Sequence, residues 1–394
     1  MTLPRMPAAR RAAEIAPFQV MDVLARAQAL EAAGRRVIHM EIGEPDFTAP
    51  EGVVEAGVRA LRAGLTAYTA TLGLPALREA IAAWLARSSG RALEAARVAV
   101  TPGASGALQL ALALYVDPGD EILVPDPGYP GYRHFVRAFE GVARALPLAP
   151  HDAFQPTLAM VRAAWGPRTR GLVLGSPSNP TGTVIAPAEL ARIAAFVAER
   201  GGVLIADEIY QGLVYGAPPA SALGLPGEVV LVSSFSKYFC MTGWRLGWAV
   251  LPAHRVREFE KLAQHFYICA PSAAQHAALA AFAPEALQVL EARRLEFQRR
   301  RDFLVPALER AGLTLPARPT GAFYAYADCA AFGGDAKRFA LQLLEDAGVA
   351  ATPGADFGAN GTASCLRFAY TRSLDDLEEG AARIAAYCAA RAAG

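Results

Sequence analysis

The sequence predicts an α/β fold: a large domain on a mostly parallel sheet, and a smaller α+β domain formed by the C-terminal part and the N-terminal segment. From about residue 97, short apolar runs alternate with longer helical patterns. Those runs are apolar throughout, as strands covered on both faces require. After about residue 285 the texture changes to a long charged helix, a strand and two further helices. The expected boundaries are 1–45 for an N-terminal arm and part of the small domain, 46–285 for the large domain, and 286–394 for the small domain.

Taken in order, residues 1 to about 17 carry Pro4, Pro7 and Pro17 and read as an extended arm of the kind that packs on a second subunit. A helical pattern over 20–33 stops at Gly34. Residues 37–42 read as a short strand and Gly43-Glu44-Pro45-Asp46 as a turn, where glycine permits close approach. A helix over 51–63 leads to Tyr68-Thr69-Ala70 and to Leu74-Pro75, which opens the next helix. The sheet strands are expected at 97–101, 121–124, 171–174, 203–206, 229–233 and 246–250, the long helix at 291–309 and a last strand at 321–326.

Composition narrows the function. At 394 residues, 53% hydrophobic and 19% charged, the chain can bury a large core. A net charge of +1 without long runs of one sign gives no basis for a nucleic-acid groove or a polybasic membrane patch. No apolar run approaches the roughly 18 residues that span a bilayer, and no h-region follows Arg5, Arg10 and Arg11, so a cytoplasmic protein is expected. The five cysteines are scattered and the six histidines lack metal spacing; reduced thiols and no metal are expected.

Lysine is the informative residue. Of 38 basic residues only Lys237, Lys261 and Lys337 are lysines. Arginine would serve any ion pair as well, but only an amine can form a Schiff base. Lys237 stands among Phe235, Tyr238, Phe239 and Trp244, where desolvation favours the neutral nucleophile. Lys261 and Lys337 lie in amphipathic, charged surroundings and read as solvated surface charge.

Further candidates fall at the ends of expected strands, where open α/β sheets bind ligands. Pro102-Gly103-Ala104-Ser105 opens a helix whose free backbone N–H groups could hold a phosphate, although an ordinary strand-turn-helix corner reads the same way. Ser178-Asn179-Pro180 is a turn, with a proline suited to a cis bond. Asp207 follows a buried strand, as a cofactor partner or as a helix cap. An amine nucleophile, a phosphate cradle, a strand-end acid and several hydroxyls together fit pyridoxal 5'-phosphate.

With Tyr68-Thr-Ala, Gly103-Ala-Ser-Gly, Pro127-Gly-Tyr129-Pro, Ser178-Asn-Pro-Thr-Gly, Ala206-Asp-Glu-Ile-Tyr210, Ser234-x-Ser236-Lys237-x-x-x-Met-Thr-Gly-Trp-Arg245, Pro319-Thr-Gly-Ala-Phe-Tyr and Cys365-Leu-Arg367 in this order, the chain resembles the fold-type I pyridoxal-phosphate aminotransferases of class I/II. The resemblance implies a seven-stranded sheet and a homodimer. It implies Lys237 as the Schiff-base lysine, Asp207 as the partner of the pyridine nitrogen, and Asn179 and Tyr210 as donors to the ring oxygen. Tyr129 would stack on the ring. Gly103, Ala104, Ser105, Ser234, Ser236 and Arg245 would bind the phosphate, with Tyr68 reaching it from the neighbouring subunit. Arg367 would take the substrate carboxylate, with Gly43 and Asn179 beside it.

The expected reaction moves an amino group from an L-amino acid to a 2-oxo acid in a ping-pong sequence. A carbon–sulfur β-lyase or an enzyme like 8-amino-7-oxononanoate synthase is the alternative on the same fold. Ser234-x-x-Lys237 also spells the β-lactamase nucleophile motif, but the S-D-N and K-T-G partners are absent. A cofactor-sensing regulator would need a DNA-binding segment, which the sequence lacks. Aspartate-specific relatives carry a lysine at the position of Ser105; its absence speaks against aspartate and leaves apolar, aromatic or small donors open.

Overall fold

The computed structural model describes residues 6–216 and 220–392. Its centre is a seven-stranded sheet in the order Val98–Thr101, Gly247–Val250, Glu228–Ser234, Val203–Asp207, Thr169–Gly175, Glu121–Asp126, Val142–Pro147. Every pairing is parallel except the two made by Gly247–Val250. Val98–Thr101 and Val203–Asp207 are buried at every position, as unbroken apolar runs require when helices cover both faces. Helices Gly103–Tyr115, Pro130–Ala138, Leu158–Ala164 and Pro187–Glu199 supply that cover.

Six of the seven strands coincide with the expected runs. The missed one is Val142–Pro147 at the sheet edge. Most of its residues are exposed or half-exposed, and Arg144 and Pro147 break the apolar pattern; an edge tolerates both.

A second layer is α+β. Strands Thr352–Pro353, Cys365–Ala369 and Tyr324–Asp328 form an antiparallel sheet, and Ile38–His39 pairs in parallel with Val349–Ala350. The N-terminal segment is thus stitched to the C-terminal part. Helices Pro284–Arg310 and Leu374–Ala392 pack on this layer around Phe297, Phe323, Phe368 and Tyr370.

Three local expectations need correction. The long helix begins at Pro284, one turn and more before the charged stretch, and carries Pro306 inside it. The strand expected over 321–326 is Tyr324–Asp328, because the chain at Gly321 is turned by contacts with Gly182 and Val214. The arm is not wholly extended: Arg10–Glu14 is a short exposed helix, and Glu14 and Arg11 pair with Arg137 and Glu140 of the same chain. Pro4 lies outside the described residues. No helix among them is long and apolar enough to cross a membrane.

Because six strands run the same way, their carboxyl ends share one sheet edge. Gly247, which starts the reversed strand, lies opposite Thr101 on one side and Ser234 on the other, at that same edge. The loops that leave it carry the site.

Candidate active site

A cavity of about 500 Å³ opens at this edge, between the large sheet and the small antiparallel one. Lys237, Asp207, Tyr210, Asn179, Tyr129, Ala104, Ser105, Ser236, Arg245, Gly43 and Arg367 all line it. These residues are scattered from 43 to 367 in the sequence, and each reaches the cavity from a strand end, a helix start or the small sheet.

Lys237 stands three residues beyond strand Glu228–Ser234. Its Nζ donates to the Gly43 carbonyl at 2.6 Å. Burial pushes its amine down to about 8, helped by Arg367 and Arg245 and opposed by Glu44 and Asp207. At pH 7 that leaves about one amine in ten neutral, against about one in 3,000 at the ordinary lysine value. Aldehyde capture and borohydride reduction on the cofactor-free protein should therefore label Lys237 with a rate that rises through pH 8 and levels off above it. Peptide mapping of the labelled protein checks this; a rate still climbing steeply near pH 10 would show an ordinary, solvated amine.

Asp207 ends strand Val203–Asp207. Its Oδ2 accepts from Tyr132 Oη at 2.8 Å and its Oδ1 from the Ile209 N–H at 3.1 Å. Burial pushes this carboxyl up to about 6, against the pull of those donors and of Lys237. This buried acid lines the cavity. Tyr129 meets Tyr132 edge to face, with centroids 5.3 Å apart, and burial pushes its phenol up to about 12, so it stays protonated.

Arg367 sits in strand Cys365–Ala369, between Thr352 and Tyr326. Nη1 donates to Asn179 Oδ1 at 2.9 Å, Nη2 donates to the Glu41 carbonyl, and the plane lies over Tyr324 and Phe357. Its Nε is buried without a partner. Arginine can only donate, so the Asn179 oxygen must face it and the Asn179 NH₂ is left for another acceptor. Tyr210 Oη lies 2.7 Å from Tyr324 Oη.

At the other end of the cavity, helix Gly103–Tyr115 begins with its first N–H groups unbonded. Gly103 has φ 73°, and a Cβ there would fall 2.6 Å from Arg245 Nη2. A Cβ at Gly247 would fall 2.6 Å from the Gly103 backbone. Glycine at both positions is what brings a helix N-terminus, Ser236 and Arg245 into one concave anion cradle.

Three expected residues do not line the cavity: Gly103, which starts the cradle helix, and Ser234 and Tyr68, which are placed otherwise. Ser234 does not reach the cavity wall: its hydroxyl donates to the Leu246 carbonyl at 3.0 Å and contacts Ser236 Oγ at 2.8 Å, so it props Ser236. Tyr68 is 78% exposed and stands away from this chain's own cavity. Tyr132 and Tyr324 were missed. Tyr132 is three residues after Tyr129 on the same helical face, a spacing that could have flagged it; Tyr324 closes the quoted Pro319 motif. Among the described residues no group of three or more His, Cys, Asp or Glu is arranged to hold a metal.

Comparison with known proteins points the same way. The family model for aminotransferase class I and II matches residues 35–384. A valine–pyruvate aminotransferase of Mycobacterium tuberculosis is 40% identical over 95% of this chain and 97% of its own length. A probable aspartate/prephenate aminotransferase of Aquifex aeolicus is 36% identical over 95% of this chain and 97% of its own length. The crystal structure of an aminotransferase from Mycobacterium tuberculosis superposes with a TM-score of 0.94 at 38% identity, covering 98% of this chain and all of that one. The chain belongs to the class I and II aminotransferases, transaminases of the fold-type I pyridoxal-phosphate group.

Proposed function

We propose that this transaminase uses pyridoxal 5'-phosphate to move the amino group of an L-amino acid with an apolar side chain to a small 2-oxo acid. The observation that carries the reading is the convergence of Lys237, Asp207 and Arg367 on one cavity, with Gly43 bonded to the first and its neighbour Glu41 to the last.

The donor set fits the cofactor. The glycine-built cradle at Gly103, Ala104, Ser105, Ser236 and Arg245 suits a phosphate, supported by Ser234 from behind. Asp207 suits a pyridinium nitrogen, Asn179 and Tyr210 suit a ring oxygen, and Tyr129 suits a ring face. Tyr68, exposed on its own subunit, is assigned to the phosphate of a neighbouring subunit in a homodimer. When bound, pyridoxal phosphate supplies an aldehyde that condenses with amines and a ring that accepts the electron pair of the substrate α-carbon.

The chain does the rest. Lys237 holds the cofactor through Nζ in the resting enzyme, and that same Nζ moves the proton at the substrate α-carbon. Asp207, ionised, keeps a proton on the ring nitrogen. Arg367, on the cavity wall, takes the substrate carboxylate and orients the α-carbon toward Lys237. Amino donor and oxo acceptor then use the site in turn, a ping-pong exchange.

The outer wall sets the donor class. Phe18, Val20, Met21, Ile42 and Phe357 line it, and Ser105 offers no cation to a second carboxylate. The relative named for valine and pyruvate supports this choice, and the relatives described above are all transaminases rather than lyases or synthases. The test is a panel of L-amino acids added without oxo acid while cofactor absorbance is followed. Valine, leucine and phenylalanine should convert at least about tenfold faster than aspartate, the discrimination a few methylenes provide. Faster conversion of aspartate would overturn the donor class, and release of pyruvate and ammonia from cysteine-like substrates would overturn transamination.

A further inference from the structure

One buried carboxylate has no task in this scheme. Glu41 is 0% exposed; its Oε1 lies 2.7 Å from His39 Nδ1, and its Oε2 has no partner. The His39 ring, only 13% exposed, places its other nitrogen 3.1 Å from Glu31 Oε1. Burying an unpaired carboxylate is costly, and a protonated imidazole can donate to both glutamates at once. The strand ends at His39 and the chain bends at Glu41, which leaves the two side chains in contact.

The backbone of the same segment reaches into the active site. The Glu41 carbonyl accepts from Arg367 Nη2 and, at 2.9 Å, from Thr352 Oγ1. Two residues further on, the Gly43 carbonyl holds Lys237. We propose that His39 and Glu41 are a positioning pair: protonated His39 anchors the Glu41 side chain, which fixes the Glu41 carbonyl against Arg367 and so sets how tightly the site holds a substrate carboxylate. The inference rests on the reading of Arg367 as the carboxylate anchor.

The sign follows from the surroundings. The hydrogen bond to Glu41 raises His39 above the ordinary imidazole range, burial opposes it, and Glu31 adds to it. The pair is therefore complete below the ordinary imidazole value and is lost as pH rises through the raised one. From helix Gln19–Ala32 only Glu31 reaches the ring. Asp376 and Glu379 of helix Leu374–Ala392 are taken by Arg36, Arg372 donates to the His39 carbonyl, and Val349–Ala350 carries no charge. Carboxylate affinity should thus fall toward alkaline pH.

Calorimetric titration with 4-methylpentanoate, a carboxylate without an amino group, reads this on the cofactor-loaded enzyme without turnover. Between about pH 6.5 and about 9 the wild-type Kd should weaken about tenfold, the scale of one displaced hydrogen bond to a charged group. His39→Gln and Glu41→Gln should start about tenfold weaker and stay nearly flat. The double variant should be no worse than either single one. Should Glu41→Gln fail to fold, His39→Gln, at the less deeply buried of the two residues, carries the test. Variants that lose thermal stability but keep the wild-type pH slope would overturn the proposal and leave a merely structural pair. An Arg367→Gln enzyme that binds as tightly as wild type would overturn the anchor itself, and the pair with it.

Discussion

Lys237→Ala should abolish turnover, by about 10⁴-fold or more, because on the proposed reading one change removes both the amine that holds the cofactor and the base that moves the α-proton. Nothing nearby can replace it. The other two lysines lie on helices elsewhere, and the guanidinium groups of Arg245 and Arg367 cannot give up a proton near neutral pH. Lys237→Arg should fail as completely, which separates the need for an amine from the need for a charge. The fold should survive, since removing a buried, desolvated amine leaves the Gly43 carbonyl to water in an open cavity. Absorbance of the purified variants and single-turnover conversion of valine are the measurements. A variant that retains the cofactor's Schiff-base absorbance and a rate within tenfold of wild type would refute the assignment of Lys237.

Asp207→Asn comes second, with an expected loss of about 10³-fold, the upper range for removing one preorganised electrostatic partner of a developing charge. Asparagine keeps the shape: its one oxygen can still accept from the Ile209 N–H, and its NH₂ can donate to Tyr132 Oη once that hydroxyl turns, so the charge is what the substitution chiefly removes. Burial at present holds this carboxyl up near 6. A pyridinium brought against it would draw that value down again, since an opposite charge favours ionisation. Cofactor should therefore bind Asp207→Asn more weakly but still bind. Equilibrium dialysis and half-reaction rates check both; a rate within threefold of wild type would mean that the ring nitrogen is served by another group.

How much of this was legible beforehand differs by element. Strands buried on both faces write unbroken apolar runs, and those were readable; Val142–Pro147, half solvated at the edge, left no such mark. Lys237 stood out because the chain uses arginine almost everywhere else. Arg367 had little local signal, as its partners Asn179 and Glu41 are 188 and 326 residues away in sequence. Ser234 stood beside the lysine in the motif, yet strand alternation turns its hydroxyl toward Leu246 and away from the cavity. His39 and Glu41 could have been paired from their spacing. Their meaning required knowing that the Glu41 carbonyl faces an arginine from the far end of the chain.

The stitch between Ile38–His39 and Val349–Ala350 also orders events during synthesis. Residues 37–43 leave the ribosome early and find their strand partner only when nearly nine-tenths of the chain has been made. Closing so long a loop is slow compared with the local pairing of the central strands. The large sheet, with Asp207 and Lys237 at its edge, can therefore assemble while the first segment still waits. Arg367, proposed as the clamp for the substrate carboxylate, comes last, and on that reading a chain arrested before residue 349 holds the acid and the amine but has nothing to grip a substrate with.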